Sequence, residues 1–318
     1  GTTIDADLVV DCCGRRSPLP KWLAELGAPP PPEERVVDGL MYFGRYYKLE
    51  DGREFPHHSS PIVDLGYLFG LTFEADGGWF AIALAVHSED REIRRLRDDD
   101  AFEAALQAIP ATAAWRTPGR SIPMTEVTTM SGIDDRWRDL VVDGRPLVTG
   151  LVAVGDSVVA TNPAFGRGSS LAWIAGRALV DVVAEHADDP VALATAQHSE
   201  TVRLVRGWYD QQAGMDAARL DAMRAVLAGE PVPEPDPGDL MAAIPIGLQL
   251  AANTDPDVYR VMGQVTHMLA DPIELLADPN VFTKAVEAFE NRAAYAAASA
   301  GPTRAELLEA MAIMPGRV

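Results

Sequence analysis

Apolar and polar positions change rhythm twice along this 318-residue chain. Residues 7–13 are a short apolar run that stops at Gly14, the pattern of a buried strand and its turn. Residues 18–27 read as a short helix, stopped by Gly27 and the prolines that follow. From 36 to 86 β-branched and aromatic residues dominate, cut by Gly/Asp clusters at 50–52 and 76–78, which predicts antiparallel strands in a meander or half-barrel. Residues 89–110 turn helical, and the charges at 90–100 read as a solvated helix face. Strands return at 122–130 and 137–142, with Asp143-Gly144 as a hairpin tip. The apolar run 147–154 fits a fully buried strand, and a helix from about Gly168 to His186 follows its loop.

Beyond Asp188 the pattern is helical to the end. A long helix runs from Asp189-Pro190 to about Gly229, and 230–238 is a Pro-rich linker. Shorter helices then open at Asp255-Pro256, Asp271-Pro272 and Asp278-Pro279, Asp serving as N-cap and Pro as first helical residue. No repeat of fixed period runs through the chain.

Composition narrows the function. A formal net charge of −20 disfavours a nucleic-acid partner and an anionic lipid surface. No apolar run reaches the roughly 18 residues of a membrane span, and no signal peptide opens the chain, so a cytoplasmic protein is expected. The two cysteines, Cys12 and Cys13, are adjacent and lack a Cys or His companion at ligand spacing, so buried thiols are expected rather than a disulfide or zinc site. His57-His58 has no partner at helical spacing and reads as an exposed loop. The chain starts at Gly1 and reaches a strand almost at once, as if it entered its fold midway.

The candidate chemistry lies at 151–172. A buried strand ends at Gly155-Asp156, which puts the Asp156 carboxyl at the carboxyl end of a strand, where α/β folds place ligands. Pro163, Gly166 and Gly168 shape a close backbone approach, and the helix that follows aims its free N–H groups at the same place, a fitting site for an anion or an electron-rich heterocycle. The order Gly155-Asp156-Ser157, Pro163, Gly166, Gly168 resembles the second FAD motif of the flavoproteins that include aromatic hydroxylases and geranylgeranyl-reductase-like enzymes. Residues 5–17, with Gly14, Arg15 and Ser17, resemble that family's Ala-Asp-Leu-Val-Val-x-Ala-x-Gly-x-x-Ser turn.

The resemblance implies FAD as cofactor. Asp156 is expected on the ribityl chain, Pro163 along the flavin ring, and the N–H groups of Gly168, Ser169 and Ser170 at the pyrimidine edge. Gly14 and Arg15 are expected against the ADP–ribityl region, with Gly155 and Gly166 shaping the turns. Cys13 stands where many aromatic hydroxylases carry an Asp, which weakens the case for NAD(P)H as electron donor. The family's Gly-x-Gly-x-x-Gly fingerprint is absent from the chain, so the chain by itself is expected to hold FAD poorly.

The implied fold is α+β: an incomplete α/β FAD-binding domain (1–35 and 132–188), an inserted antiparallel β-sheet substrate domain (36–131) and a C-terminal helical region (189–318). The implied function is oxidation or reduction of an apolar organic small molecule, as a monooxygenase or reductase. A halogenase fits less well because its Trp-x-Trp-x-Ile-Pro sequence is absent. No side chain stands out as catalytic, as expected where the flavin is the reactive group. Tyr42, Phe43, Tyr46, Tyr47, Tyr67, Phe69, Phe73, Trp79 and Phe80 read mainly as sheet packing, with a subset available to line a pocket. Trp208 and Tyr209 read as core. Two other classes compete: a binding module without catalysis, and a Gly-Asp-Ser ester hydrolase with Ser157 as nucleophile. The latter lacks its Asp-x-x-His, since His186, His198 and His267 have no acid three positions earlier.

Overall fold

A computed structural model describes residues 3–36, 39–56, 62–232, 240–252, 254–270, 278–294 and 301–312. From the N-terminus the elements are β1 (Val9–Asp11), α1 (Leu19–Glu25), β2 (Glu33–Val36), β3 (Leu40–Leu49), β4 (Ile62–Asp64), β5 (Leu68–Glu74), β6 (Trp79–His87), α2 (Asp99–Ala108), α3 (Pro110–Ala113), β7 (Ser121–Pro123) and β8 (Thr128–Met130). There follow β9 (Asp135–Arg138), β10 (Val141–Val142), β11 (Arg145–Pro146), β12 (Leu151–Ala153), β13 (Val159–Ala160), α4 (Gly168–His186), α5 (Pro190–Ala228), α6 (Leu240–Ala252), α7 (Pro256–Thr266), α8 (Pro279–Glu290) and α9 (Arg304–Ala312). The class is α+β, with antiparallel sheets beside a parallel strand pair. No helix among the described residues is long and apolar enough to cross a membrane. His57-His58 and Asp271-Pro272 lie outside the described residues.

The chain divides into two compact units, residues 1–40 with 130–220, and residues 41–129 with 221–318. In the second, the sheet runs in the order β4-β5-β6-β3-β7, with β8 also on β3. Strand alternation sorts its residues cleanly. Phe43, Tyr47, Leu68, Phe80, Ile82, Leu84 and Val86 point to one face and pack under Phe102 and Leu106 of α2 and under Leu307 and Met311 of α9. The opposite face carries Tyr42, Tyr46, Phe69, Leu71 and Phe73 around the small residues Gly44, Ala81, Ala83 and Ala85. Helices α6, α7 and α8 share a small core of Ala251, Val258 and Ala288.

The charged stretch 90–100 departs from the sequence expectation. Ile93 and Leu96 sit in a 3-10 turn and are fully buried, and Asp90 is 3% exposed. Both Asp90 oxygens accept from Arg304, at 2.7 and 2.8 Å. Burial pushes the Asp90 carboxyl up, but the Arg304 guanidinium and the Ile93 N–H more than offset it and hold the group below its usual range. A partner 214 residues away cannot be read from i,i+4 spacing.

The first unit has a three-stranded antiparallel sheet, β13-β9-β2, and the parallel pair β1-β12. Helix α4 covers β12, with Leu179 and Val182 on Val152 and Val154. The 147–154 run is a shorter strand than expected, because Gly150 takes a φ of +74° and delays its start to Leu151. Asp143 and Gly144, both with positive φ, make the hairpin tip between β10 and β11. Asp189, Asp255 and Asp278 each accept from backbone N–H groups of the helix that follows, as N-caps should. Tyr209 is buried on Trp137, with ring centroids 5.6 Å apart.

Candidate functional site

Strands β1 and β12 pair in parallel, Val9 beside Leu151 and Asp11 beside Ala153, so both chains leave the pair at the same end. There β1 enters the 3-10 turn Gly14–Arg16 and β12 enters the 3-10 turn Gly155–Ser157. One buried acid ties the two turns together. Asp11, 2% exposed, accepts from the Cys13 N–H at 2.9 Å, from the Ser157 hydroxyl at 3.1 Å and from the Ser17 hydroxyl. Ser157 in turn accepts the Gly14 N–H at 3.0 Å. The two motifs that the sequence places far apart are therefore joined side chain to backbone.

Strand β9 holds the same turns from behind. Arg136 donates to the carbonyls of Arg15 (2.9 Å) and Asp156 (3.2 Å). Arg138 donates to the Ser157 carbonyl (3.0 Å) and to Glu33 (2.7 Å). Arg15 reaches away from the two turns, to the Thr161 carbonyl at 2.9 Å and to Asp134 at 3.1 Å, where it braces the loop before α4. Burial in this cluster lowers the Arg136 pKa.

Asp156 emerges half-buried at the end of β12, facing the first residue of α4. A Cβ built on Gly168 would lie 3.7 Å from the Asp156 Oδ1. No side chain caps α4, so the N–H groups of its first turn, on Gly168 and the exposed Ser169 and Ser170, point outward beside that carboxyl. Gly155 is held at φ +61°, and a Cβ there would stand 3.0 Å from the Cβ of Ala172. Gly155→Ala is therefore expected to destabilise the unit by about 1–3 kcal/mol, read as a lower urea midpoint at unchanged m.

The loop between the turns and α4 is built as closely. Asn162 accepts the Ala164 N–H at 3.1 Å and so caps the Pro163–Phe165 turn, which leaves Pro163 exposed. Gly166 follows at φ +65°. Arg167, 7% exposed, stacks between Phe165 and Trp208, 4.8 and 4.9 Å from the ring centroids, and donates to Gln211 at 2.8 Å. Desolvation pulls its pKa down to about 10, so it stays a cation.

The structure thus brings together Gly14, Gly155, Asp156 and the head of α4, with Pro163 and Gly166 on the connecting loop, and it turns Arg15 aside as a brace. Asp11, Arg136 and Arg138 were missed. An acid closing an apolar strand reads as a strand end, and the sequence pattern starts the next strand at Trp137, one residue after Arg136. Two expectations fail here. Cys12 and Cys13 are exposed, not buried, because β1 ends at Asp11 and its own Val9 and Val10 are 49% and 38% exposed. Ser157 is fully buried with its hydroxyl committed to Asp11 and Gly14, so it cannot meet an ester.

No family model matches the chain. Over 181 residues, 53% of its length, it is 30% identical to Protein Rv3254 of Mycobacterium tuberculosis (strain ATCC 25618 / H37Rv), and it spans 35% of that relative. Among solved structures, the flavin-dependent brominase Bmp2 superposes with a TM-score of 0.51 at 16% identity, covering 90% of this chain and 64% of that one. CmlS, a flavin-dependent halogenase, gives a TM-score of 0.49 at 20% identity, covering 76% and 42%. The chain therefore shares its fold with the brominase.

Proposed function

We propose that this chain is the flavin-facing part of an FAD-dependent oxidoreductase that acts, as monooxygenase or reductase, on an apolar organic small molecule. The observation that carries the reading is the joined pair of turns: a carboxyl at the end of a parallel strand, 3.7 Å from the Cβ position of a glycine that opens an uncapped helix. In this reading Asp156 binds the ribityl hydroxyls and Pro163 lies along the ring. Gly14 lies towards the ADP side with Arg15 behind it, and Gly155 and Gly166 allow close approach of the backbone. Bound there, FAD would supply the redox chemistry. The N–H groups of Gly168, Ser169 and Ser170, at the positive end of the uncapped α4, would hold the electron-rich pyrimidine edge of the ring. The fold shared with a flavin-dependent brominase supports the cofactor.

The sheet unit is assigned the substrate. Its face opposite the α2 core has a part-exposed floor of Gly44, Ala81 and Ala83 bordered by the exposed Tyr46 and Phe73, which suits a flat apolar molecule. Since the chain spans 35% of its curated relative, the whole protein's activity is part of the proposal.

Titration of the purified chain with FAD, followed by flavin fluorescence, tests the cofactor. Weak saturable binding is expected, and Asp156→Ala should reduce it about 10- to 100-fold by removing a charged hydrogen bond. Binding indifferent to Asp156→Ala would overturn the assignment. So would no binding at all in a longer chain that carries a Gly-x-Gly-x-x-Gly turn.

A further inference from the structure

A pair of buried acids lies beneath the loop that carries Pro163. Asp135 on β9 and Asp216 on α5 are each 2% exposed, and their carboxyl groups face one another closely enough for each to act on the other's charge. Two carboxylates are both acceptors only, so one of the two must carry a proton and donate it. The other partners say which. Asp216 accepts from Arg219 Nη1 and from Gln212 Nε2, each at 2.7 Å, a setting that keeps its charge. Asp135 has instead the neutral N–H of Asn162, at 2.7 Å on its Oδ1. The proton therefore resides on Asp135.

The Asn162 bond gives the pair its reach. Asn162 is the residue whose side chain caps the Pro163–Phe165 turn. Asp135 thus grips the base of the loop while Asp216 grips α5. We infer that Asp135 and Asp216 are a proton-sharing pair of positioning residues that locks the 161–167 loop to α5 and so fixes where Pro163 stands. What Pro163 faces rests on the FAD reading above, while the lock itself does not.

The groups that face the pair are Arg15 from the Gly14–Arg16 turn, and Tyr209, Gln212 and Arg219 from α5. Burial pushes Asp135 up, the Asn162 N–H pulls it down, and Asp216 raises it again, leaving it at about 7. Burial also leaves Asp216 raised. A carboxyl with a raised folded pKa takes up protons on folding. Its contribution is complete below the unfolded value of 3.8 and is lost as pH rises to about 7. Above that, two buried negative charges oppose each other and the lock weakens.

Urea unfolding of the full chain across this range, without cofactor, is the test, with Asp135→Asn beside the wild type. The amide keeps an oxygen for the Asn162 N–H and donates permanently to Asp216. The wild-type folding constant should therefore fall relative to the variant by up to about tenfold per pH unit within the window. Amides of 161–167, corrected for intrinsic exchange, should lose protection over the same range in the wild type only. Parallel pH profiles for the two proteins would overturn the lock. Should the variant fold poorly, the wild type decides alone: a protonated-carboxyl infrared band near pH 6 that vanishes above pH 7 supports the pair, and its absence refutes it. Failure of FAD to bind leaves all of these readouts intact, so the two readings fall separately.

Discussion

Phe80→Ala is expected to destabilise the sheet unit by about 3–5 kcal/mol. Phe80 is 1% exposed on β6 and is the hub of an aromatic cluster. Its ring centroid lies 5.1 Å from Tyr47, 6.2 Å from Phe55 and 5.2 Å from Trp115. Tyr47 is fixed further by Glu103, which accepts its hydroxyl at 2.8 Å, and by Arg116, stacked 4.3 Å from its ring centroid. A cluster held by such polar contacts cannot collapse into a void, so most of the cavity should persist and the cost should lie at the upper end. The check is a urea midpoint shift at unchanged m, with faster hydrogen exchange across 79–87. Phe80→Leu, closer in volume, should lose no more than about 1.5 kcal/mol. A loss below about 1 kcal/mol for Phe80→Ala would mean that the core repacks around the gap.

The sequence displays what is local. Asp before Pro marks helix starts because the cap and the fixed φ act within one turn, and 189, 255 and 278 are all such starts. Gly168 to His186 reads as a helix because its apolar spacing is uninterrupted, and the structure has those bounds. Alternation along β6 separates Phe80, Ile82, Leu84 and Val86 from Ala81, Ala83 and Ala85 with no knowledge of the fold. What stays hidden is the pairing of polar groups over long separations. Asp90 looks like one charge in a solvated run until Arg304 arrives from the C-terminal end. Asp135 falls two residues before the strand that the sequence pattern starts at Trp137, and nothing local relates it to Asp216. The glycines and Asp156 of the candidate site were legible because turns and helix ends require particular residue types. The side chains that hold those turns in place were not, since any buried hydrogen-bonding residue at the right distance serves.

Asp11→Ala tests that hidden layer most directly, with an expected loss of about 3–5 kcal/mol. Three donors converge on this one carboxyl: the Cys13 N–H, the Ser17 hydroxyl and the Ser157 hydroxyl. Each of the two buried hydroxyls left without an acceptor costs about 1–3 kcal/mol, less what it recovers by rotating, and the part-buried Cys13 N–H, which water can reach, costs less. Asp11→Asn keeps one acceptor oxygen and should lose about half as much. Ser157→Ala removes the link to Gly14 while sparing the other two bonds, for about 1–2 kcal/mol. If the carboxyl and the hydroxyl act as one brace, the double variant Asp11→Ala/Ser157→Ala should cost less than the sum of its parts. Urea unfolding of the four proteins measures the coupling, and exchange at the Gly14 N–H reports whether the two turns have separated. Additive losses would mean that Asp11 and Ser157 stabilise their own turns independently. The geometry that brings Asp156 and Gly14 to one end of the β1–β12 pair would then depend on the strand pairing and on Arg136 and Arg138 alone.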